Sequence, residues 1–432
     1  MVTRKINFKI LVLICIFALI CASLFGCGSR GKQIDFARVN ENGELVLYYT
    51  DGTEENLGAV NGKDGESGAM GERGDIGSTG ATGADGKDGV ITIENNSNGI
   101  ALATSKGLQS AVSITCNFRT GYYPPTTATS AGSGVIYKLD KTKGDAIIIT
   151  NYHVVYNSSS TSTNKISNDI SVFLYGSEYD SQAITAQYVG GSMNYDIAVL
   201  SVSGSTALKG ADIEAATVAN SEKVYVGDTA IAIGNPEGMG ISASSGVVNV
   251  DSEYITMTAP DETTKVTFRV MRVDAAVNSG NSGGGLYNSS GELIGIVNAK
   301  VSTTDVENIG YAIPSNLAVA VADNIIDNSM LKEISLGFTP SITDSYAEYD
   351  ISTGYISIME EIQVSTVSSS GLFRSYVQAG DVISYVSTNE KTVKITRKHQ
   401  LIEFMLELRS GDTVTLEFLR DGTEKTATVT VS

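Results

Sequence analysis

This chain of 432 residues carries two histidines, His153 and His399. Any reaction that needs an imidazole base must therefore be built on one of them. His153 lies in Thr150-Asn151-Tyr152-His153-Val154-Val155, directly after the apolar run Ala146-Ile147-Ile148-Ile149. Two further stretches carry matching chemistry: Tyr195-Asp196-Ile197-Ala198-Val199-Leu200, and then Gly280-Asn281-Ser282-Gly283-Gly284. A serine hydroxyl is a poor nucleophile near neutral pH unless an imidazole takes its proton. That imidazole in turn needs a carboxylate to fix its tautomer and stabilise the imidazolium. His153, Asp196 and Ser282 supply these three types in the order base, carboxylate, nucleophile. The glycines around Ser282 let the backbone turn tightly, so that the N–H groups of Gly280 and Ser282 can converge on a developing oxyanion. His399, in Arg397-Lys398-His399-Gln400 at the start of a helical stretch, reads as a solvated residue.

A glycine-rich loop, a histidine after a strand and an aspartate before one are each common in structural roles. Their combination in this order, with strand-like flanks that could hold all three, carries the catalytic reading. The spacing suits two small barrels: 43 residues separate His153 from Asp196, and 86 more lead to Ser282. That order is the one used by chymotrypsin-type barrels, whereas α/β-hydrolases run Ser, Asp, His and subtilisins Asp, His, Ser.

Together with Gly132-Ser133-Gly134-Val135-Ile136, Gly234-Asn235-Pro236, Asp274 to Asn278, Gly291 to Ile296 and Gly310 to Ser315, these motifs resemble the HtrA/Deg family of trypsin-fold serine proteases. The resemblance covers about residues 105 to 330, and more weakly the remainder. It implies a serine endopeptidase with a double β-barrel, with His153 as base, Asp196 as orienting carboxylate, Ser282 as nucleophile, and the amides of Gly280 and Ser282 as oxyanion hole. It also implies a homotrimer that degrades unfolded or damaged proteins outside the cytoplasm. In such proteases the residue six before the nucleophile floors the pocket for the cleaved side chain. Here that residue is Ala276, with Val277 beside it. A charged side chain would be uncompensated there, so cleavage after small or medium aliphatic residues is expected. The excursion from Val250 to Thr267 falls where the family carries regulatory loops.

The amino terminus reads as a targeting segment. Arg4, Lys5 and Lys9 precede an apolar run from Ile10 to Phe25, short for a membrane span of about 20 residues. The run ends in Leu24-Phe25-Gly26-Cys27, which resembles a bacterial lipoprotein cleavage motif. Removal of residues 1–26 and lipidation of Cys27 would anchor the protein on the outer face of the cell membrane. An uncleaved anchor and an ordinary secretory signal are the alternatives.

Residues 27–61 form a tether, in which Glu44 to Tyr49 and Leu57 to Val60 flank Asp51-Gly52, a hairpin signal. Within 62–90, glycine recurs at every third position from Gly62 to Gly89. Only glycine fits at the axis of a collagen triple helix, so this register predicts a stalk of roughly 80–90 Å. The stalk has no proline, and its stability would rest on pairs such as Arg73 with Asp75. Residues 91–107 read as a connector.

After the protease region, 108–330, residues 331–432 combine short strands with an apolar helical face at Leu401, Met405 and Leu408. A closing hairpin turns at Asp421-Gly422. This pattern resembles a PDZ domain. By that resemblance the amides of Leu336-Gly337-Phe338 would capture the carboxylate of a C-terminal peptide, which adds as a strand. The expected fold class is therefore mostly β, with a double-barrel protease, a PDZ-like α+β domain behind it and a collagen-like segment before it.

The formal charge of −18 argues against nucleic acid, which demands basic patches. The cysteines are Cys15, Cys21, Cys27 and Cys116. Two sit in the leader, so no disulfide framework, metal site or cofactor is expected, and Cys116 should pack as a small apolar residue. Two other classes remain open on sequence. One is a structural or adhesive surface protein with an inert barrel, and the other is a regulatory protease dedicated to one partner.

Overall fold

The computed structural model describes residues 34–40, 42, 44–59, 97–121, 123–177, 182–298 and 309–432. The leader, Cys27 and the glycine triplets lie outside the described residues. The chain divides into two units, Met1–Asn98 and Gly99–Ser432.

In the first unit, β1 (Ile34–Val39), β2 (Glu44–Tyr49) and β3 (Glu54–Ala59) form an antiparallel sheet in that order. The β2–β3 turn falls at Asp51-Gly52, as the sequence suggests. Strand β1 is an addition that the sequence reading did not anticipate.

A helix, Ser97–Leu108, leads into the second unit. Its residues up to 107 fall within the stretch read as a connector. The helix packs through small residues one turn apart: Ala103 is buried, and a Cβ on Gly107 would come within 2.6 Å of Ile233 Cδ1. A polar sequence with one narrow stripe of small residues hides such a contact from a hydropathy reading.

Two closed antiparallel barrels follow. The first joins β4 (Ala111–Thr120), β5 (Thr126–Asp140), β6 (Asp145–Thr150), β9 (Ile197–Val202), β8 (Ile184–Ser192) and β7 (Asp169–Leu174). The second joins β10 (Thr229–Gly234), β11 (Ser242–Thr258), β12 (Lys265–Val273), β15 (Gly310–Pro314), β14 (Leu293–Val297) and β13 (Gly285–Tyr287). Side chains alternate across a strand, and here both faces are apolar. On β9, Ala198, Leu200 and Val202 fill the first barrel, while Ile197 and Val199 enter a larger core between the barrels. On β10, Ala230 and Ala232 fill the second barrel, and Ile231 and Ile233 join that shared core. The helix Ser315–Asn328 seals the shared core with Leu317, Ala318, Val321 and Ile325. Burial on both faces explains the unbroken apolar runs, and it locks the strand ends that border the groove between the barrels. Cys116 is a free, fully buried thiol inside the first barrel, pushed up to about 12 by burial and by Asp169.

The last module is a sheet in the order β16 (Phe338–Asp350), β17 (Tyr355–Val367), β18 (Val382–Ser387), β20 (Thr413–Arg420) and β21 (Thr423–Thr430). A short strand, β19 (Thr392–Lys394), pairs with β18. The helix Lys398–Glu407 packs Leu401, Phe404 and Met405 onto this sheet's core.

The Val250–Thr267 excursion is a β11–β12 hairpin with register shifts between Val248 and Glu253, and the polar seat of this module lies on these strands. Arg269 is 3% exposed; its Nη1 donates to Glu403 Oε1 (2.7 Å), lies 3.0 Å from Glu222 Oε1, and its Nε donates to Ser252 Oγ (2.9 Å). His399 is also buried, with Nε2 2.8 Å from Glu222 Oε1, and Arg397 pairs with Asp251. The expectation of a solvated His399 is therefore wrong. The polar face of its helix, which looks solvent-facing in sequence, is turned onto the second barrel. Burial pushes the Glu403 carboxyl up. Burial would also raise Glu222, but the hydrogen bond and charge of His399, joined by Arg269 and Gln400, hold it well below the usual carboxylate range. Replacing Arg269 with leucine strands a buried carboxylate, and is expected to cost about 3–5 kcal/mol in denaturant unfolding. Adding Glu403→Leu to that variant should recover most of the loss.

Candidate active site

Asp196 closes the turn between β8 and β9 in a left-handed conformation (φ 52°), which short polar residues tolerate. It is 2% exposed and receives five hydrogen bonds. Its Oδ2 accepts from His153 Nδ1 (2.7 Å) and Asn298 Nδ2 (2.9 Å), and its Oδ1 from the His153 backbone N–H (2.9 Å). Its carbonyl accepts from Asn151 Nδ2 (2.9 Å) and the Tyr152 N–H (3.1 Å). An ionised carboxylate only accepts, so the proton on the His153 ring sits on Nδ1 and Nε2 is the basic nitrogen. The one-turn helix Tyr152–Val155 that carries His153 is anchored by Val154 and Val155 in the first barrel's core.

Ser282 sits in a turn just before β13 and is 5% exposed. Its carbonyl accepts from the Ser133 N–H (2.8 Å), and the next N–H, of Gly283, donates to Val297 O (2.9 Å), the residue before Asn298. Gly283 has φ 85°, and a Cβ there would lie 2.2 Å from both Ser133 O and Thr150 Oγ1. The serine turn is thus pressed against the end of β6, immediately before the histidine helix. Gly280 has φ 93°, and a Cβ there would lie 2.2 Å from Asn235 O. No side chain fits at either position. The structure therefore brings the segments of all three residues to one seam between the barrels, with His153 and Asp196 in direct contact.

Ala276 is exposed and Val277 half-buried, packed toward Gly310. Ser244 Oγ donates to Ala276 O (2.8 Å), and the nearby Asp274 spends its Oδ1 on the Val247 N–H (2.6 Å). In the C-terminal module, Gly337 takes φ 88° and its carbonyl accepts from the Ser368 N–H (2.9 Å). Leu336 and Phe338 both pack against the module's core, and Phe338 starts β16.

Asn298 is the site residue that sequence reasoning missed. Its only sequence signal is its place directly after the apolar run Leu293–Val297. Chemically, the ensemble can hold an imidazole in one tautomer beside a serine turn and stabilise its protonated form.

A family model described as "Trypsin-like peptidase domain" matches residues 132–296. The chain is 33% identical over 319 residues to the "Serine protease Do-like HtrA" of Lactococcus lactis subsp. lactis, covering 70% of this chain and 71% of that one. It is 32% identical to the "Periplasmic pH-dependent serine endoprotease DegQ" of Escherichia coli, covering 67% of this chain and 57% of the relative. A solved structure titled "HtrA-type protease AlgW with tripeptide" superposes with a TM-score of 0.50 at 25% identity, over 77% of this chain and 96% of that one.

Asn298→Ala removes one charge-assisted donor from Asp196 and should lower kcat/KM roughly ten- to hundred-fold on a peptide substrate. Asn298→Asp sets a second carboxylate against the first and should be worse still.

Proposed function

The chain belongs to the HtrA/Deg family of trypsin-like serine proteases, and on that premise we propose that His153, Asp196 and Ser282 form the catalytic triad of this serine endopeptidase. The observation that carries the reading is the bond between His153 Nδ1 and a buried Asp196, set beside the stapled Ser282 turn.

His153 Nε2 takes the proton from Ser282 Oγ as that oxygen attacks the scissile carbonyl. Asp196 stabilises the resulting imidazolium, and the N–H groups of Gly280 and Ser282 receive the oxyanion. The imidazolium then hands its proton to the leaving amine, leaving an acyl-enzyme. Water, deprotonated by the same nitrogen, releases the acid and restores Ser282.

Ala276 and Val277 line the pocket for the cleaved side chain. Neither lining residue carries a charge, and the nearby Asp274 turns its Oδ1 to the Val247 N–H, so small and medium aliphatic residues are preferred. The C-terminal module binds peptide termini at Leu336-Gly337-Phe338. In support, β16 pairs only with β17 among the described residues, so its other edge is open to an added strand. Unfolded or damaged extracytoplasmic proteins are the substrates this design suits, because an extended chain can fill a narrow groove. Lipidation of Cys27 anchors the protein outside the cytoplasm, and the glycine triplets and the family's trimeric habit agree on three chains.

A fluorophosphonate probe should label the wild-type protein and not Ser282→Ala, and casein hydrolysis should vanish in the same variant. Absence of labelling in freshly purified wild type would remove the catalytic assignment. A peptide library should return alanine, valine or similar residues before the cut, and efficient cleavage after arginine would overturn the pocket assignment. Fluorescent peptides with a free C-terminal carboxylate should bind, and their amidated counterparts should not.

A further inference from the structure

We propose that Ser133 is a positioning residue for the oxyanion hole, an inference that rests on the catalytic reading of Ser282. Ser133 lies on β5 of the first barrel and is 1% exposed. It makes four hydrogen bonds, three of them across the seam. Its Oγ donates to the carbonyl of Gly280 (2.7 Å) and accepts from the N–H of Asn235 (2.8 Å), at the end of β10 in the second barrel. Its own N–H donates to the carbonyl of Ser282 (2.8 Å), and its carbonyl accepts from Thr150 Oγ1 (2.7 Å), three residues before His153. One residue thus links the nucleophile turn, the second barrel and the strand that leads into the His153 helix.

The carbonyls it holds belong to the same two residues whose N–H groups are assigned to the oxyanion. The N–H of Gly280 shares a peptide plane with the Ser279 carbonyl, which accepts from the Glu237 N–H (2.8 Å), and the N–H of Ser282 shares one with the Asn281 carbonyl, which accepts from the Gly284 N–H (3.0 Å). Ser133 holds the planes that follow each of these two residues. The Ser133 hydroxyl pins the carbonyl of Gly280, and the Ser133 amide pins that of Ser282, which together set the twist of the turn between them. A hydroxyl is required because the site needs a donor and an acceptor on one atom in a space with no room for a larger group. The ideal Cβ of Gly234 would already lie 2.9 Å from this oxygen. Alanine at 133 would leave the Gly280 carbonyl and the Asn235 N–H buried and unpaired, and the turn would relax to satisfy them.

The effect is therefore on transition-state binding rather than on substrate binding. Complete loss of one oxyanion donor typically costs about 100- to 1000-fold, and misalignment should cost less. In the full chain, Ser133→Ala should lower kcat by about 10- to 100-fold per active site, counted by exhaustive fluorophosphonate labelling, with KM changed by less than about twofold. The affinity of a peptidyl boronate, which mimics the tetrahedral intermediate, should fall by a similar factor. Ser133→Cys sets a larger atom, with only weak donor and acceptor character, in the same tight space and should also lower kcat per labelled site. Counting labelled sites separates misfolding from misalignment, since misfolded molecules do not label. An unchanged kcat per labelled site, or a loss that appears wholly in KM, would overturn the proposal. Failure of the wild type to label would instead sink the catalytic reading beneath it.

Discussion

A carboxylate almost wholly withdrawn from water is tolerable only when donors surround its charge, and the donors to Asp196 come from distant parts of the chain. His153 brings its backbone N–H and its Nδ1 to the carboxylate from just beyond β6, and Asn298 brings its Nδ2 from the end of β14 in the other barrel, while Asn151 and Tyr152 hold the Asp196 carbonyl. The requirement to satisfy this one group forces the two closed sheets to meet at a fixed seam. The His153 ring is held in one tautomer by the same bonds that make burial of Asp196 possible.

That seam is rigid because the strands leading to it are apolar on both faces. Strands β6, β9 and β10 each feed a barrel interior with one face and the shared core with the other. Sliding any of them by one residue would exchange its two faces and break both cores. Precision at the ends of these strands is a by-product of packing along their lengths. The serine turn lacks such support, being mostly glycine, and is held instead by hydrogen bonds from Ser133 and Val297 and by close backbone approach.

A second buried charge problem governs the C-terminal module. The helix that packs on its sheet core also presents Arg397, His399, Gln400 and Glu403 to the β11–β12 hairpin and to Glu222. Polar groups, rather than a wide apolar face, therefore set how this helix sits on the second barrel. Buried charged contacts of this kind are demanding in geometry and contribute more to a single orientation than to raw stability.

The sequence by itself determined which residue types stand where and in what order. His153, Asp196 and Ser282 lie in motifs that are each common alone but together point to one chemistry, and the apolar runs mark the strands that border them. The hairpins at Asp51-Gly52 and Asp421-Gly422 and the helix around Leu401 were legible because local backbone preference and periodicity act over neighbouring residues. Only tertiary structure decided the roles of Asn298, Ser133, Arg269 and His399. Each is an ordinary polar residue in sequence, and its partner lies on another strand, barrel or module. A hydrogen bond between such residues leaves no local periodicity, and its existence depends on how closed sheets and helices meet. The helix Ser97–Leu108 belongs to the same class, since its small-residue contact acquires meaning only against the wall of the second barrel.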